Sequence, residues 1–210
     1  WTEENRPAKE LMDAGADIVV GYEADAPYRQ GDPRTVFEAA LDDVLKGKKG
    51  VYVGCDWRDL SKPMPRPRMD LFKGIKEGRY ALRGWQGVYE GVEASRGCTL
   101  DCDTCVVKDY WGPHTVRMRP PEDVKAEIET RGLRNILFTD DSFGTRGTVV
   151  TTQAQGLLEG LKSLRDPKIG RPFKANWIAQ VNFKFVEAMF DDRGKLTPFG
   201  TLVKESGCQV

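Results

Sequence analysis

Between residues 88 and 210 the chain alternates strand-like apolar runs with amphipathic helical segments, an order that points to an architecture built around a parallel sheet. Strands are expected over 88–94, 135–139 and 173–182, helices over 121–130, 149–164 and 196–205, and a further strand from Cys208. Each step takes about 35 to 45 residues, enough for a strand and the helix that crosses back to start a parallel neighbour. Pro120 and Pro121 followed by Glu122 and Asp123 suit a helix start, because proline lacks the N–H that would go unpaired there and the acids face the positive helix end. Gly132 and Gly207 suit the ends of the helices they follow.

The first part of the chain reads as a separate layered α/β piece. A helix is expected over 4–14, a buried strand over 16–21, and a helix over 33–45 with Val36, Phe37, Ala40, Leu41 and Val44 on one face. Lys62-Pro63-Met64-Pro65-Arg66-Pro67-Arg68 then puts three prolines into seven residues, a composition that excludes both helix and central strand. The expected organisation is a first domain over 1–50, a linker over 51–85 and a second domain over 86–210.

Lys and Arg total 32 and Asp and Glu total 32, so no excess positive charge draws the chain to nucleic acid or an anionic membrane. The sequence has no apolar run of the roughly 18 residues that a spanning helix needs, and its first residues lack the pattern of a secretory signal. A cytoplasmic protein is expected. One histidine, His114, rules out sites that need several imidazoles.

Five cysteines are an odd number, and three of them, Cys98, Cys102 and Cys105, fall within eight residues directly after the first strand of the βα series. Thiolate ligation fits that crowding better than disulfides do. Loops at the C-terminal ends of parallel strands face the crevice where ligands sit. Three thiolates can hold three corners of an iron-sulfur cluster and leave one iron open, whereas a cluster used only for electron transfer takes a fourth cysteine. The same thiols also admit a zinc knuckle completed by His114, Cys55 or Cys208, although zinc hairpins favour two closely spaced pairs. Cys55 otherwise reads as a linker thiol and Cys208 as a small buried hydrophobe. Asp140 and Asp141 read either as loop-capping acids or as groups facing a cofactor, and Arg117 and Arg119 as a solvated charged face. His114 reads as a loop residue, and Trp85, Trp111 and Trp177 as packing residues.

Ser95-Arg96-Gly97-Cys98-x3-Cys102-x2-Cys105, Arg117-Met118-Arg119-Pro120-Pro121-Glu122-Asp123-Val124 and Ile136-Leu137-Phe138-Thr139-Asp140-Asp141-Ser142-Phe143 together resemble the radical S-adenosylmethionine superfamily. More narrowly they resemble its cobalamin-binding branch. Trp177-Ile178-Ala179-Gln180, Glu205-Ser206-Gly207-Cys208 and Ala16-Asp17-Ile18-Val19-Val20-Gly21-Tyr22-Glu23 are similar to the same branch.

The resemblance implies an α/β fold: a partial (βα) TIM-like barrel, truncated to its N-terminal half, preceded by the tail of a Rossmann-like cobalamin-binding domain. It implies a 4Fe-4S cluster on Cys98, Cys102 and Cys105 whose open iron binds S-adenosylmethionine, and reductive cleavage to a 5′-deoxyadenosyl radical. Thr139, Asp140 and Asp141 are implied at the methionine end of that cofactor, with Gln180 facing the same crevice. Implied as well are cobalamin, a small-molecule substrate, an electron donor such as a flavodoxin or ferredoxin, and methyl transfer or cyclisation as the reaction. Two features depart from the family pattern: Thr104 stands where an aromatic residue usually precedes the third cysteine, and no Asp-x-His-x-x-Gly segment occurs in these 210 residues. The readings from other classes are a non-catalytic iron-sulfur electron carrier and a zinc-stabilised binding module.

Overall fold

The computed structural model describes residues 6–21, 23–71, 73, 88–111, 115–146 and 149–209. They fall into two compact units, Trp1–Asp59 and Leu60–Val210. His114 and Trp85 lie outside the described residues, as does the middle of the segment expected as linker.

The first unit is a helix followed by a βαβ step: α1 (Arg6–Asp13), β1 (Ile18–Gly21), α2 (Val36–Val44) and β2 (Gly50–Val53). β1 and β2 pair in parallel, Ile18 opposite Gly50 and Gly21 opposite Val53. α2 starts where Thr35 and Glu38 cap each other reciprocally, rather than at Pro33. Its buried residues Val36, Ala39 and Ala40 pack with Ala26 and Tyr52. β2 occupies positions where the sequence suggested the end of a domain and the start of a linker. Val51-Tyr52-Val53 is a short β-prone run whose pairing with β1 carries the first unit beyond residue 50.

The second unit opens with the proline-rich segment, which packs onto this unit through Arg66 and ends in a short 3-10 turn at Met69–Leu71. There follow β3 (Glu90–Val92), β4 (Ser95–Cys98), α3 (Val107–Trp111), β5 (Thr115–Met118), α4 (Pro121–Arg131), β6 (Asn135–Phe138), β7 (Thr145–Arg146), β8 (Val149–Val150), α5 (Thr152–Lys162), β9 (Asn176–Ala179), α6 (Phe183–Met189) and α7 (Pro198–Glu205). β3, β6 and β9 form a parallel sheet in that order. Cys208 adds a parallel bridge to Trp177 on the far side of β9, where a fourth strand was expected to begin.

One face of this sheet holds the core. Val92, Ile136, Phe138 and Trp177 are buried against Val124 and Ile128 of α4, Leu157, Leu158 and Leu161 of α5, and Val203 of α7. The Trp177 indole N–H donates to Ser206 Oγ at 3.1 Å, which satisfies the polar atom of the largest buried side chain. α4 begins at Pro121 and ends at Gly132, whose φ of +64° is the left-handed turn expected there.

Further features of this unit differ from the sequence reading, among them a β7–β8 pair where the helix expected from 149 would begin. β4 and β5 form an antiparallel hairpin beside the parallel sheet. α6 occupies 183–189, where no helix was expected, and starts at an Asn182 cap. Arg119 is buried, not solvated: its guanidinium meets Asp123 at 2.6 Å and Glu127 at 2.9 Å, and donates to the Glu93 carbonyl at 2.6 Å. Arg66 reaches the same two acids, at 2.7 Å and 3.3 Å. Burial pushes the Asp123 carboxyl up, but Arg119 and Arg66 together hold it below the usual carboxylate range. Among the described residues no helix is long and apolar enough to cross a membrane.

Candidate functional site

The three clustered cysteines belong to the β4–β5 hairpin. Cys98 is the last residue of β4, paired with Thr115 at the start of β5, and Cys102 and Cys105 lie in the connection between them. All three are free thiols: Cys102 is exposed, and Cys98 and Cys105 are half-buried. The Cys105 N–H donates to the Cys102 carbonyl at 3.1 Å and closes a turn between them. The Leu100 N–H approaches Cys98 Sγ at 3.4 Å, a hydrogen bond of the kind that iron-bound sulfur accepts. Among the described residues no three Cys, His, Asp or Glu side chains are gathered into a metal-holding group, so the thiols share a loop without forming a closed cage. Their chemistry, three unbridged thiols with a backbone N–H already directed at one sulfur, fits a cluster with three cysteine ligands.

β4 begins three residues after β3 ends, so the loop starts at the C-terminal edge of the parallel sheet. Gly97 has φ +93°, and a Cβ there would lie 2.1 Å from the Thr115 carbonyl oxygen, so only glycine fits before Cys98. Arg96 lies along Glu93 in a two-pronged ion pair, Nε to Oε1 at 2.8 Å and Nη2 to Oε2 at 2.9 Å.

The acids after β6 meet β4. Asp140 is buried and accepts from the Ala94 N–H at 3.2 Å and from the Ser95 hydroxyl. Burial pushes its carboxyl up to about 6, against the opposing pull of the Ser95 and Ala94 hydrogen bonds. Asp141 accepts from the Gly97 N–H at 2.9 Å. Thr139 is exposed, and its N–H continues the ladder to the Val92 carbonyl at 3.0 Å. Gln180 is exposed after β9; its carbonyl accepts from the Phe143 N–H at 2.9 Å, and it borders a largely apolar groove of about 580 Å³ that Leu137, Ile178, Val186 and Phe190 also line. Thr139, Asp140 and Asp141 thus share the strand end beside the cysteine hairpin, with Gln180 at the end of the adjacent strand.

The remaining cysteines stand apart. Cys55 is exposed in the first unit, after β2 rather than in a linker. Cys208 packs against the core, and burial pushes its thiol up to about 11, which keeps it protonated and a poor ligand at neutral pH. In the first unit a cavity of about 300 Å³ opens past the C-terminal ends of β1 and β2, lined by Glu23, Gly54, Cys55, Asp56 and Trp57.

The sequence reading missed the role of Gly97 and the buried Arg119. A signal for the second was present: Arg119, Asp123 and Glu127 are spaced by four, so the two acids share a face of α4 within reach of one guanidinium. No protein-family model, curated protein or solved structure matches this chain.

Proposed function

We propose that the second unit carries the cluster site of a radical S-adenosylmethionine enzyme. The observation behind this reading is the set of three unbridged thiols, Cys98, Cys102 and Cys105, on one hairpin that leaves the C-terminal edge of a parallel sheet. The resemblance of Cys-x3-Cys-x2-Cys and its flanking segments to that superfamily supplies the chemistry, and the partial (βα) barrel it implies accords with three parallel strands and intervening helices.

Cys98, Cys102 and Cys105 would hold the 4Fe-4S cluster. The chemistry that this group supplies when bound is one-electron cleavage of S-adenosylmethionine to methionine and a 5′-deoxyadenosyl radical. The chain's own residues shape the place. Gly97 lets β4 approach β5 closely, Asp140 and Asp141 hold β4, and the Leu100 N–H supports the Cys98 sulfur. Exposed Thr139 and Gln180 line the strand ends available to the cofactor. The electron would come from a flavodoxin or ferredoxin, in a cytoplasmic setting. Methyl transfer to an unactivated carbon or a cyclisation of a small molecule would follow.

The first unit, with its parallel βαβ step, would be the tail of a Rossmann-like domain. The family's cobalt ligand is an imidazole, and residues 1–59 contain no histidine, so this unit's residues do not fit that part of a cobalamin site and no step is assigned to it.

Anaerobic reconstitution with iron and sulfide tests the proposal. About four iron atoms per chain are expected, with an electron paramagnetic resonance signal after reduction that changes when S-adenosylmethionine is added. Cys102→Ala should abolish that signal. A signal indifferent to the cofactor would favour an electron carrier, and zinc in place of iron a structural knuckle. Full iron retention in Cys102→Ala would overturn the ligand assignment.

A further inference from the structure

The hairpin that carries the cysteines pairs within itself, and the parallel sheet runs β3, β6, β9 without it. Its position relative to the sheet therefore depends on other contacts. Two consecutive carboxylates supply them. Asp140 takes the Ala94 N–H and the Ser95 hydroxyl, and Asp141 takes the Gly97 N–H, so the pair grips β4 and the residue before it at three points within four residues. The last point is one residue from Cys98. The Arg119 N–H donates to the Ala94 carbonyl at 2.9 Å and extends the hairpin pairing beyond Ser95 and Met118.

The family resemblance implies this acidic pair at the methionine end of a cofactor. The geometry directs it elsewhere: Asp140 is buried with both carboxylate oxygens occupied, and Asp141 gives one oxygen to the backbone amide that precedes Cys98. At Gly97 the positive φ and the close approach of the Thr115 carbonyl leave no room for a side chain. A backbone held there fixes the direction in which the next side chain leaves.

We infer that Asp140 and Asp141 are positioning residues for the cysteine loop, and that Asp141 acts on the cluster through the Gly97 amide and the Cys98 sulfur rather than by binding S-adenosylmethionine. This rests on the cluster reading for its consequence, but its structural half can be tested without iron.

The test compares Asp141→Ala, which removes the acceptor, with Asp141→Asn, which keeps a carbonyl oxygen for the Gly97 N–H. In the metal-free chain, Cys98 alkylation by limiting iodoacetamide is followed by peptide mass spectrometry, with Cys102 as the internal reference. Cys98 should react about five-fold faster in Asp141→Ala, the factor by which losing one typical hydrogen bond shifts a local opening equilibrium. Cys102 should be unchanged, and Asp141→Asn should behave as wild type. Equal Cys98 rates in Asp141→Ala and wild type would overturn the inference. If Cys208, packed against the core, also becomes reactive, the variant has unfolded and wild-type hydrogen exchange decides. The Gly97 amide should then be as protected as that of Arg119, and exchange at the rate of exposed loop amides would overturn the inference.

The second arm uses the reconstituted chain. Asp141→Ala should lower iron content or alter the cluster spectrum before any S-adenosylmethionine is added, and Asp141→Asn should restore both. Intact iron with loss of only the cofactor-induced spectral change would mean that Asp141 binds the cofactor, and would overturn the inference. Failure of the wild-type chain to take up a cluster would sink the functional reading alone, since the alkylation result stands apart from it.

Discussion

The two faces of the β3-β6-β9 sheet differ sharply. On one, Val92, Ile136, Phe138 and Trp177 are sealed by three helices; on the other, Gly91 and Leu137 are exposed and Ile178 is half-buried. Parallel sheets are ordinarily covered on both sides. The contrast separates two jobs within the same strands: one face supplies packing energy, and the other, with the strand ends, supplies the groove and the ground beside the cysteine hairpin. The acids after β6 sit where the jobs meet, because Phe138 is locked into the core two residues before Asp140 grips β4.

Substitutions at neighbouring positions of β6 should show the contrast directly. Phe138→Ala removes a ring that stacks on Phe143 at 4.6 Å and meets Trp177 edge-on at 5.8 Å, and should cost roughly 3–5 kcal/mol in urea denaturation. A loss below about 1 kcal/mol would mean that the covered face is not the stabilising one.

The boundary between the faces has its own signature in pH. The folded chain holds the Asp140 carboxyl at about 6, above the ordinary aspartate value of 3.8, so the folded state binds the proton more tightly than the unfolded one. The stability this group contributes is full below about pH 4, declines as pH rises through about 6, and is flat above, a change on the order of 3 kcal/mol. Asp140→Asn should flatten that part of the profile when denaturation midpoints are compared at pH 4, 5, 6 and 7. An unchanged slope between pH 4 and 6 would remove Asp140 as its source.

The smallest effect belongs to the open face. Leu137 is 37% exposed, and Leu137→Ser should shift stability by less than about 1 kcal/mol in the same urea assay. A loss matching that of Phe138→Ala would show that this face is covered in solution.

Much of the architecture was legible in residue order. Pro120-Pro121 and Gly132 bounded α4 because their backbone preferences act locally. The strands expected over 135–139 and 173–182 contain β6 and β9, because each centres on a short apolar run, Ile136-Leu137-Phe138 and Trp177-Ile178-Ala179. The hairpin was not legible: Ser95-Arg96-Gly97-Cys98 has no apolar alternation, and Thr115-Val116-Arg117-Met118 only a weak one. Their pairing draws on distant groups, Asp140 and Asp141 among them, more than forty positions along the chain. β2 was legible in principle, but the prolines that follow it suggested a linker that starts too early.

By itself the sequence determined the cysteine spacing, the βα order and the single histidine, because ligand type and periodicity are properties of neighbouring residues. Only the tertiary structure decided that Asp140 and Asp141 turn toward β4, that Arg119 is buried between Asp123 and Glu127, and that one sheet face is covered while the other is open. Each depends on which distant groups desolvate one another, and a carboxylate or guanidinium carries no local mark of the partner it will meet once water is excluded.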